Sequence, residues 1–400
     1  MKICVVGAGR VGLPLACVLA QYDHEVSVCD KSKAVVSELR LGIAPFKEPH
    51  LQTWLNNFGH AMKFSTVLTS EADAFIVCVP TPVTNGEANL SAIFKVLDTL
   101  ALFNLTDKLV IIRSTLPPGG TAALDSYLFS ATFANYKIAY CPERIAEDHA
   151  IEELMRLPQL IGCRTSQDFK AFEYVFNFAE CIKTTWEEAE AVKLFTNTYR
   201  YAHFAISNYL SMTANKLGLD FDEVFSLMTR HYPRLDTMPL PGLTGGSCLR
   251  KDYAMLSKLW DGADVGVMAN KINEQYAVDI ANRAIDMSPL LRIGILGATF
   301  KAGSSNIKDS LVAVVANHIL QTTGVKPKIH DPHLVLHSSY SWVNGYSFIN
   351  VSMEELAGCE TVVIGTSHPQ FDKLEYRSML ANKIVLDPTC QVSQLHLEDY

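Results

Sequence analysis

Ten cysteines are spread over the 400 residues, and one of them stands in what reads as a flexible loop suited to a nucleophile. Cys248 lies in Pro241-Gly-Leu-Thr-Gly-Gly-Ser-Cys-Leu-Arg-Lys-Asp252, behind two glycines and four residues ahead of a carboxylate. Arg250 and Lys251 bring positive charge, which favours the reactive thiolate. Most other cysteines sit in apolar runs, such as Cys4 in Ile-Cys-Val-Val and Cys78 in Ile-Val-Cys-Val, where a thiol is a small, usually inert hydrophobe. A second pair is Lys193 and Asn197. Four apart in a helix-compatible stretch, they present an ammonium and an amide on one face, a combination able to stabilise an oxyanion.

A third group is Gly7-Ala-Gly9-Arg10-Val11-Gly12, directly after an apolar run and at the start of a helical pattern. Gly7 allows a tight turn, Gly9 lets a pyrophosphate approach the backbone, and Gly12 permits close helix–strand packing. The phosphates would meet the positive end of the helix. The next apolar run ends at Asp30, at the spacing where a carboxylate accepts hydrogen bonds from an adenosine ribose diol. An acid there repels a 2′-phosphate, so NAD is expected rather than NADP. Lys31 and Lys33 are the neighbours that could pair with the extra phosphate.

These groups need rigid elements to position them. Short β-branched runs at 2–6, 25–29, 74–79, 108–113 and 137–140 alternate with amphipathic segments, as at 11–21 and 32–41. Alternation of this kind predicts a parallel sheet covered on both faces. From residue 185 to about 219 the apolar positions follow helical spacing, with no glycine before Gly218, which predicts one long helix. Further helical segments follow to about 287. Strand patterns resume at 292–296, 328–330, 361–364 and 383–386, with a helix at 309–323. The fold class is therefore α/β: two Rossmann-like, doubly wound parallel-sheet domains at 1–184 and 289–400, joined by a mostly helical region at 185–288. A helical insert of this sort is often where subunits meet.

The second α/β region lacks the dinucleotide fingerprint. Gly294-Ile-Leu-Gly297-Ala-Thr-Phe-Lys301 has two glycines at another spacing, so no dinucleotide is expected there. Its glycines and Lys301 could still hold a different phosphate-bearing ligand. One domain for NAD and another for a second nucleotide suggests a nucleotide-linked substrate. Net charge −8 and a pI near 5.8 argue against nucleic acid as the partner. No run reaches the roughly 18–20 apolar residues of a membrane helix, and no signal peptide is evident. The cysteines show neither Cys-x-x-Cys nor Cys/His ligand spacing, so no metal site is expected and a cytoplasmic location is.

Taken together, the chain resembles the UDP-glucose/GDP-mannose dehydrogenase family along nearly its whole length. The resemblance rests on Gly7-x-Gly-x-x-Gly12, Val79-Pro-Thr-Pro82, Arg113-Ser-Thr-Leu-Pro117 and Cys141-Pro-Glu-Arg144. It continues through Lys193-Leu-Phe-Thr-Asn197, Gly245-Gly-Ser-Cys-Leu-Arg-Lys-Asp252 and Phe300-Lys301. It implies an enzyme that oxidises the C6 alcohol of a nucleotide hexose to a carboxylate using two NAD. Cys248 would add to the intermediate aldehyde, the thiohemiacetal would be oxidised to a thioester, and water would release the acid. The resemblance further implies that Glu147 activates or orders that water, that Asp252 orders the site near the thiol, and that Thr115 binds the water with its hydroxyl. Beyond the glycine turn and Asp30, it assigns Pro80, Thr81, Ser114, Thr115 and Glu143 to the cofactor. It assigns Glu147, Lys193, Asn197, Gly245, Gly246, Phe300 and Lys301 to the substrate. Arg234 would reach the substrate of a neighbouring subunit, making the active form at least a homodimer.

Each of these residues has a plainer alternative when taken singly. Lys193 and Asn197 could be solvated helix residues, Glu147 and Asp148 a surface charge pair, and Arg234 a surface arginine near a turn. Asp252 could cap a helix beginning at Tyr253, and Cys248 could be structural. Some positions also depart from the commoner glucose pattern. The 241–246 loop is a residue shorter, and Cys141-Pro-Glu-Arg144 resembles members acting on UDP-N-acetylhexosamines, whereas Gly-Gly-Ser-Cys is glucose- or mannose-like. Lys308 replaces an arginine, a point charge in place of a bidentate fork. His368 stands where glucose enzymes often carry tryptophan, and Asp387-Pro-Thr-Cys390 lacks the usual arginine. The expected activity is thus a UDP-hexose 6-dehydrogenase, acting on UDP-glucose or a UDP-N-acetylhexosamine and supplying a UDP-uronic acid for polysaccharide synthesis. The alternatives are GDP-mannose oxidation and a non-catalytic nucleotide-sugar-binding protein.

Overall fold

The computed structural model describes residues 1–84, 86–243, 245–257, 259–342 and 345–389. The chain divides into two compact units, one of residues 1–196 with 254–259, the other of residues 197–253 with 260–400.

The first unit is built on an eight-stranded sheet. Its order is Cys181–Thr184, Gln159–Gly162, Lys137–Tyr140, Leu109–Ile112, Ala74–Val77, Lys2–Val6, Glu25–Cys29 and Lys63–Ser65. Neighbours are parallel except at the junction of Lys137–Tyr140 with Gln159–Gly162. Residues alternate between two cores, as a strand's two-residue period requires. Ile3, Val5, Val28, Ile76 and Ile111 enter one, while Cys4, Val6, Phe75, Val77 and Ile112 enter the other. Both faces are therefore dry, which is why these strands read as continuous apolar runs. Three strands of this sheet escaped the sequence pattern: Lys63–Ser65, Gln159–Gly162 and Cys181–Thr184. They are short and lie toward the sheet margins, where the outermost keeps Ile182 and Lys183 exposed and carries little apolar signal.

The long helix runs Trp186–Lys216. It opens with a reciprocal cap in which Glu188 N–H donates to Thr185 Oγ1 at 3.2 Å and Thr185 N–H to Glu188 Oε2 at 3.0 Å. It stops before Gly218, whose φ of +70° lies in the left-handed region. Within the first unit its Glu190, 1% exposed, reaches the start of the helix Gly120–Thr132. There the carboxylate accepts from Gly119 N–H and Thr121 N–H, each at 2.7 Å, and from Thr121 Oγ1 at 2.5 Å. One buried carboxylate thus satisfies donors that a helix start leaves without intrahelical partners.

In the second unit the four-stranded parallel sheet has the order Lys328–His330, Ile293–Leu296, Thr361–Ile364, Ile384–Leu386. The helix Val265–Asp286 packs onto it through Tyr276, Ile280 and Ala284, which share a core with Ile293, Ile295, Val312 and Val363. The helix expected at 309–323 begins at Val312. Asp309 has φ +58°, which is incompatible with a helical start, and Ser310 turns its hydroxyl back to Thr299 O at 3.1 Å.

Replacing Glu190 with alanine strands two backbone N–H groups and a hydroxyl in a buried setting. The expected loss of stability is about 3 kcal/mol, read as a shifted midpoint in urea unfolding. A change below about 1 kcal/mol would show that water or another acceptor replaces the carboxylate.

Candidate active site

The glycine turn of the first unit is shaped by close approach. Gly7 has φ +105°, and a methyl group there would meet Cys78 O at 2.4 Å; one on Gly12 would meet Gly7 O at 1.9 Å. Gly9 is different, because a methyl group there would find nothing within 4 Å. Two glycines are demanded by the fold, and the third opens a space at the start of the helix Gly12–Gln21. That space, facing helix N–H groups, fits a pyrophosphate. Asp30, directly after the strand Glu25–Cys29, is half-buried, its Oδ2 accepting from Ala8 N–H and its Oδ1 from Ser32 N–H, both at 2.8 Å. These locks fix the carboxylate beside the turn, where a ribose would lie.

Arg10 of the turn pairs with Glu147, Nη1 to Oε1, at 2.8 Å. Its guanidinium also lies 5.2 Å from the Phe46 ring centroid and donates to Lys47 O at 3.3 Å. Next in sequence, the buried Glu48 accepts from Asp148 N–H at 3.1 Å and Ala150 N–H at 2.9 Å. Residues 46–48 therefore brace both Arg10 and the segment that carries Glu147. Glu147 is thus paired with Arg10 rather than standing as an isolated surface charge.

Ser114, beyond the end of the strand Leu109–Ile112, is buried and bonded to the Val79 backbone on both sides, accepting from its N–H at 2.9 Å and donating to its carbonyl at 2.7 Å. Thr115 is half-buried, and its hydroxyl makes no hydrogen bond to the described residues. Thr81 is buried and Pro80 exposed. Glu143 is committed elsewhere: its Oε2 accepts from Arg113 Nε at 2.7 Å, and its Oε1 from Arg144 N–H at 2.7 Å and Ile145 N–H at 2.9 Å. Arg113 is itself buried and donates to Gln159 Oε1 at 3.0 Å.

The thiol sits on a helix, Ser247–Ser257, and not in a flexible loop. Cys248 is exposed in the first turn, where the helix dipole favours an anion. Arg250 is drawn off to Glu274, Nη2 to Oε1 at 2.6 Å, and the Lys251 Nζ lies 3.6 Å from Asp252 Oδ1. Asp252 lies inside the helix and so is no N-cap. It falls four residues after Cys248, on the same face. It is wholly buried, and its Oδ2 accepts from Asn197 Nδ2 of the long helix at 2.6 Å. Its Oδ1 makes no hydrogen bond to the described residues. Lys193, half-buried one helical turn before Asn197, has no partner among them either. The remaining eight described cysteines differ from Cys248. Burial pushes the thiols of Cys17, Cys29 and Cys78 up to about 12 and that of Cys181 to about 11. It also raises those of Cys4, Cys141, Cys163 and Cys359.

Two buried amides missed in the sequence hold the segment leading to this helix. Asn208 grips Gly242 at both backbone groups, accepting from its N–H at 2.8 Å and donating to its carbonyl at 3.0 Å. It also donates to Asn273 Oδ1 at 2.8 Å. A polar residue on the inward stripe of a long helix was the available signal. Further on, Gly245 and Gly246 are buried, and methyl groups on them would meet Asp309 O at 2.5 Å and the Phe300 ring at 2.6 Å. Gly246 and Phe300 are thus neighbours, with Lys301 half-buried beside them. Lys308 is exposed, and Asp387 Oδ1 closes a turn onto Thr389 N–H at 2.9 Å. Cys390 lies outside the described residues. Arg234 is exposed in the turn Pro233–Leu235, its guanidinium 5.3 Å from the Tyr232 ring centroid.

Three domain models match the chain consecutively: the NAD binding domain of the UDP-glucose/GDP-mannose dehydrogenase family at residues 1–180, its central domain at 187–276 and its UDP binding domain at 294–394. The chain belongs to the UDP-glucose/GDP-mannose dehydrogenase family. It is an oxidoreductase, and its cofactor is NAD. Among similar proteins is the UDP-N-acetyl-D-mannosamine dehydrogenase of Methanococcus maripaludis, 27% identical across 96% of this chain and 92% of that protein. Another is the NDP-N-acetyl-D-galactosaminuronic acid dehydrogenase of Ralstonia nicotianae, 28% identical across 96% and 95%. The UDP-D-ManNAc dehydrogenase of Pyrococcus horikoshii shares the fold, with a TM-score of 0.86 at 24% identity over 100% of this chain and 97% of that one. No helix among the described residues is long and apolar enough to cross a membrane.

The glycine geometry separates folding from cofactor binding. Gly9→Ala should leave the melting temperature unchanged yet weaken NAD about tenfold or more by placing a methyl group in the phosphate space. Gly12→Ala should lower both. Equal NAD affinity in Gly9→Ala and wild type, measured by fluorescence titration, would show that the phosphates lie elsewhere.

Proposed function

We propose that this chain oxidises the C6 alcohol of a UDP-N-acetylhexosamine to a carboxylate in two steps, holding the intermediate aldehyde on Cys248. The observation that carries the reading is the pairing of an exposed first-turn thiol with a buried Asp252 one turn later, itself bonded to Asn197. Bound NAD accepts the hydride of each oxidation. In the first, the alcohol loses its proton as well, giving the aldehyde. The Cys248 sulfur then bonds to the aldehyde carbon, and the oxygen takes up a proton to form the thiohemiacetal. Loss of the C–H hydride and the O–H proton yields the thioester. Water adds to the thioester carbon, the C–S bond breaks, and the acid and thiol are released.

Lys193 and the second Nδ2 hydrogen of Asn197 are assigned to the oxyanions of these steps. The unbonded Oδ1 of Asp252 is available to accept a hydrogen bond near the thiol, and Glu147 and Thr115 order the hydrolytic water. We assign the glycine turn with Arg10, Val11 and Asp30 to the dinucleotide, together with Pro80, Thr81 and Ser114. Glu143 supports that site through Arg113 and the 143–145 backbone. Gly245, Gly246, Phe300 and Lys301 are assigned to the nucleotide sugar. Residues 1–184 form the NAD domain, 185–288 the central region and 289–400 the UDP domain of this proposal.

The Cys141-Pro-Glu-Arg144 segment and the relatives named for N-acetylated sugars support the choice of sugar. Gly245-Gly-Ser-Cys248 favours the second reading, UDP-glucose or GDP-mannose. Exposed apolar side chains along the long helix, Phe195, Tyr199, Ile206 and Tyr209, support a homodimer in which Arg234 reaches across to the partner's substrate. Free thiols support a cytoplasmic location, and the acid product suits polysaccharide synthesis.

NADH formation across UDP-N-acetylmannosamine, UDP-N-acetylglucosamine, UDP-N-acetylgalactosamine, UDP-glucose and GDP-mannose tests the reading. Two NADH per UDP-N-acetylhexosamine are expected, and Cys248→Ser should lower steady-state turnover at least about a thousandfold. One NADH per sugar, or near-normal turnover without the thiol, would rule out the thioester route. Sedimentation equilibrium should give twice the chain mass of 44.3 kDa, and a monomer that turns over at full rate would dismiss the shared site.

A further inference from the structure

The two sheets carry the same backbone lock, used differently. In the first unit, Gly7 at φ +105° is followed by Ala8, whose N–H donates to Asp30 Oδ2 at 2.8 Å, while Ser32 N–H donates to Oδ1 at 2.8 Å. In the second, Gly297 at φ +90° is followed by Ala298, whose N–H donates to Asp331 Oδ2 at 2.7 Å, and His333 N–H donates to Oδ1 at 2.8 Å. A methyl group on Gly297 would meet Thr366 O at 2.3 Å, as one on Gly7 would meet Cys78 O at 2.4 Å. Asp331 is therefore the structural counterpart of Asp30. Asp30 is half-buried and open to a ligand, whereas Asp331 has no exposure at all.

What covers Asp331 is His368, 2% exposed. Its Nε2 lies 3.0 Å from Asp331 Oδ2 and 3.3 Å from Thr299 Oγ1. Its Nδ1 accepts from Gly303 N–H at 3.0 Å. A ring nitrogen that accepts an N–H carries no proton, so the other nitrogen holds the hydrogen and donates it toward Asp331. The ring thus touches residues 299 and 303, on either side of Lys301. The start of this turn is also fixed, since Thr299 O accepts from Ser310 Oγ at 3.1 Å and from Thr366 Oγ1. The His333 ring lies tilted 4.6 Å from the His368 ring, and Phe371 meets it edge-on at 5.4 Å. Burial works against the Asp331 charge, but the His368 ring and the N–H donors outweigh it and hold its carboxyl below the usual range.

We propose that His368 and Asp331 form a positioning pair that sets the 299–303 turn so that Lys301 meets the diphosphate of the nucleotide substrate. By capping Asp331, the same pair withdraws the carboxylate that would otherwise bind a ribose diol. It therefore makes the second sheet selective for a ligand gripped by its phosphates. This inference rests on the reading of the second unit as the nucleotide-sugar site.

The test is direct binding of UDP by calorimetry on the full chain, alongside steady-state kinetics. His368→Ala should weaken UDP about tenfold or more and raise KM for the sugar nucleotide alike. Its kcat and its KM for NAD should stay within about twofold, because no reacting group has moved. His368→Gln keeps a donor toward Asp331 and loses the acceptor for Gly303; it should remain folded, with a wild-type melting temperature, and still bind UDP weakly. His368→Asn keeps the acceptor and should recover part of the affinity. If wild type binds UDP and the Ala and Gln variants bind it equally well, the pair has no positioning role. Parallel losses in kcat and in NAD affinity would mark it as general scaffolding and also overturn the proposal. Should wild type fail to bind UDP, the nucleotide reading and the pair's role fall together.

Discussion

A carboxylate with no solvent exposure is destabilising unless it is bonded, and Asp252 is such a group. Its bond to Asn197 is therefore a constraint on the helices as well as a contact. The helix that carries the thiol must stay in register with the long helix, or Asp252 loses its partner in a dry place. That requirement fixes the rotation of the thiol helix, and with it the side of the helix on which Cys248 emerges. Asn208 and Asn273 impose the same discipline on the approach, since a backbone gripped at both its N–H and its carbonyl has little freedom to drift.

The two units show how one arrangement of glycine, alanine N–H and aspartate serves opposite ends. Where the aspartate is left half-open, its carboxylate stays accessible to a ligand. Where a histidine seals it, it becomes part of the wall, and its strength is turned toward holding a turn. The fingerprint glycines alone do not mark this distinction, because the second sheet keeps the lock while losing the fingerprint.

Much of the architecture was legible because its strands are buried on both faces, so that Lys2–Val6, Glu25–Cys29 and Thr361–Ile364 stand out as apolar runs. The marginal strands were not, since Cys181–Thr184 is half solvated and mixes its signals. Local chemistry also misled at two points. The glycines before Cys248 suggested a loop, but helix resumes at Ser247, and the charges of Arg250 and Lys251 are directed to Glu274 and Asp252. The link between Arg10 and Glu147 was invisible, because it joins residues far apart in sequence through a segment, 46–48, with no motif of its own. Glu190 was hidden likewise, as an ordinary helix glutamate whose partners lie about seventy residues away.

The disposition of the thiols has a consequence for damage. Oxidation proceeds through the thiolate and needs access, so eight of the nine described sulfurs are shielded twice: six are buried and two, Cys78 and Cys181, half-buried, and desolvation makes all eight weaker acids. Peroxide or an electrophile arriving from solvent meets one sulfur, Cys248. Among the described residues the chain concentrates its oxidative vulnerability on a single atom. The openness the proposed mechanism asks of that atom is the same openness that leaves it unguarded.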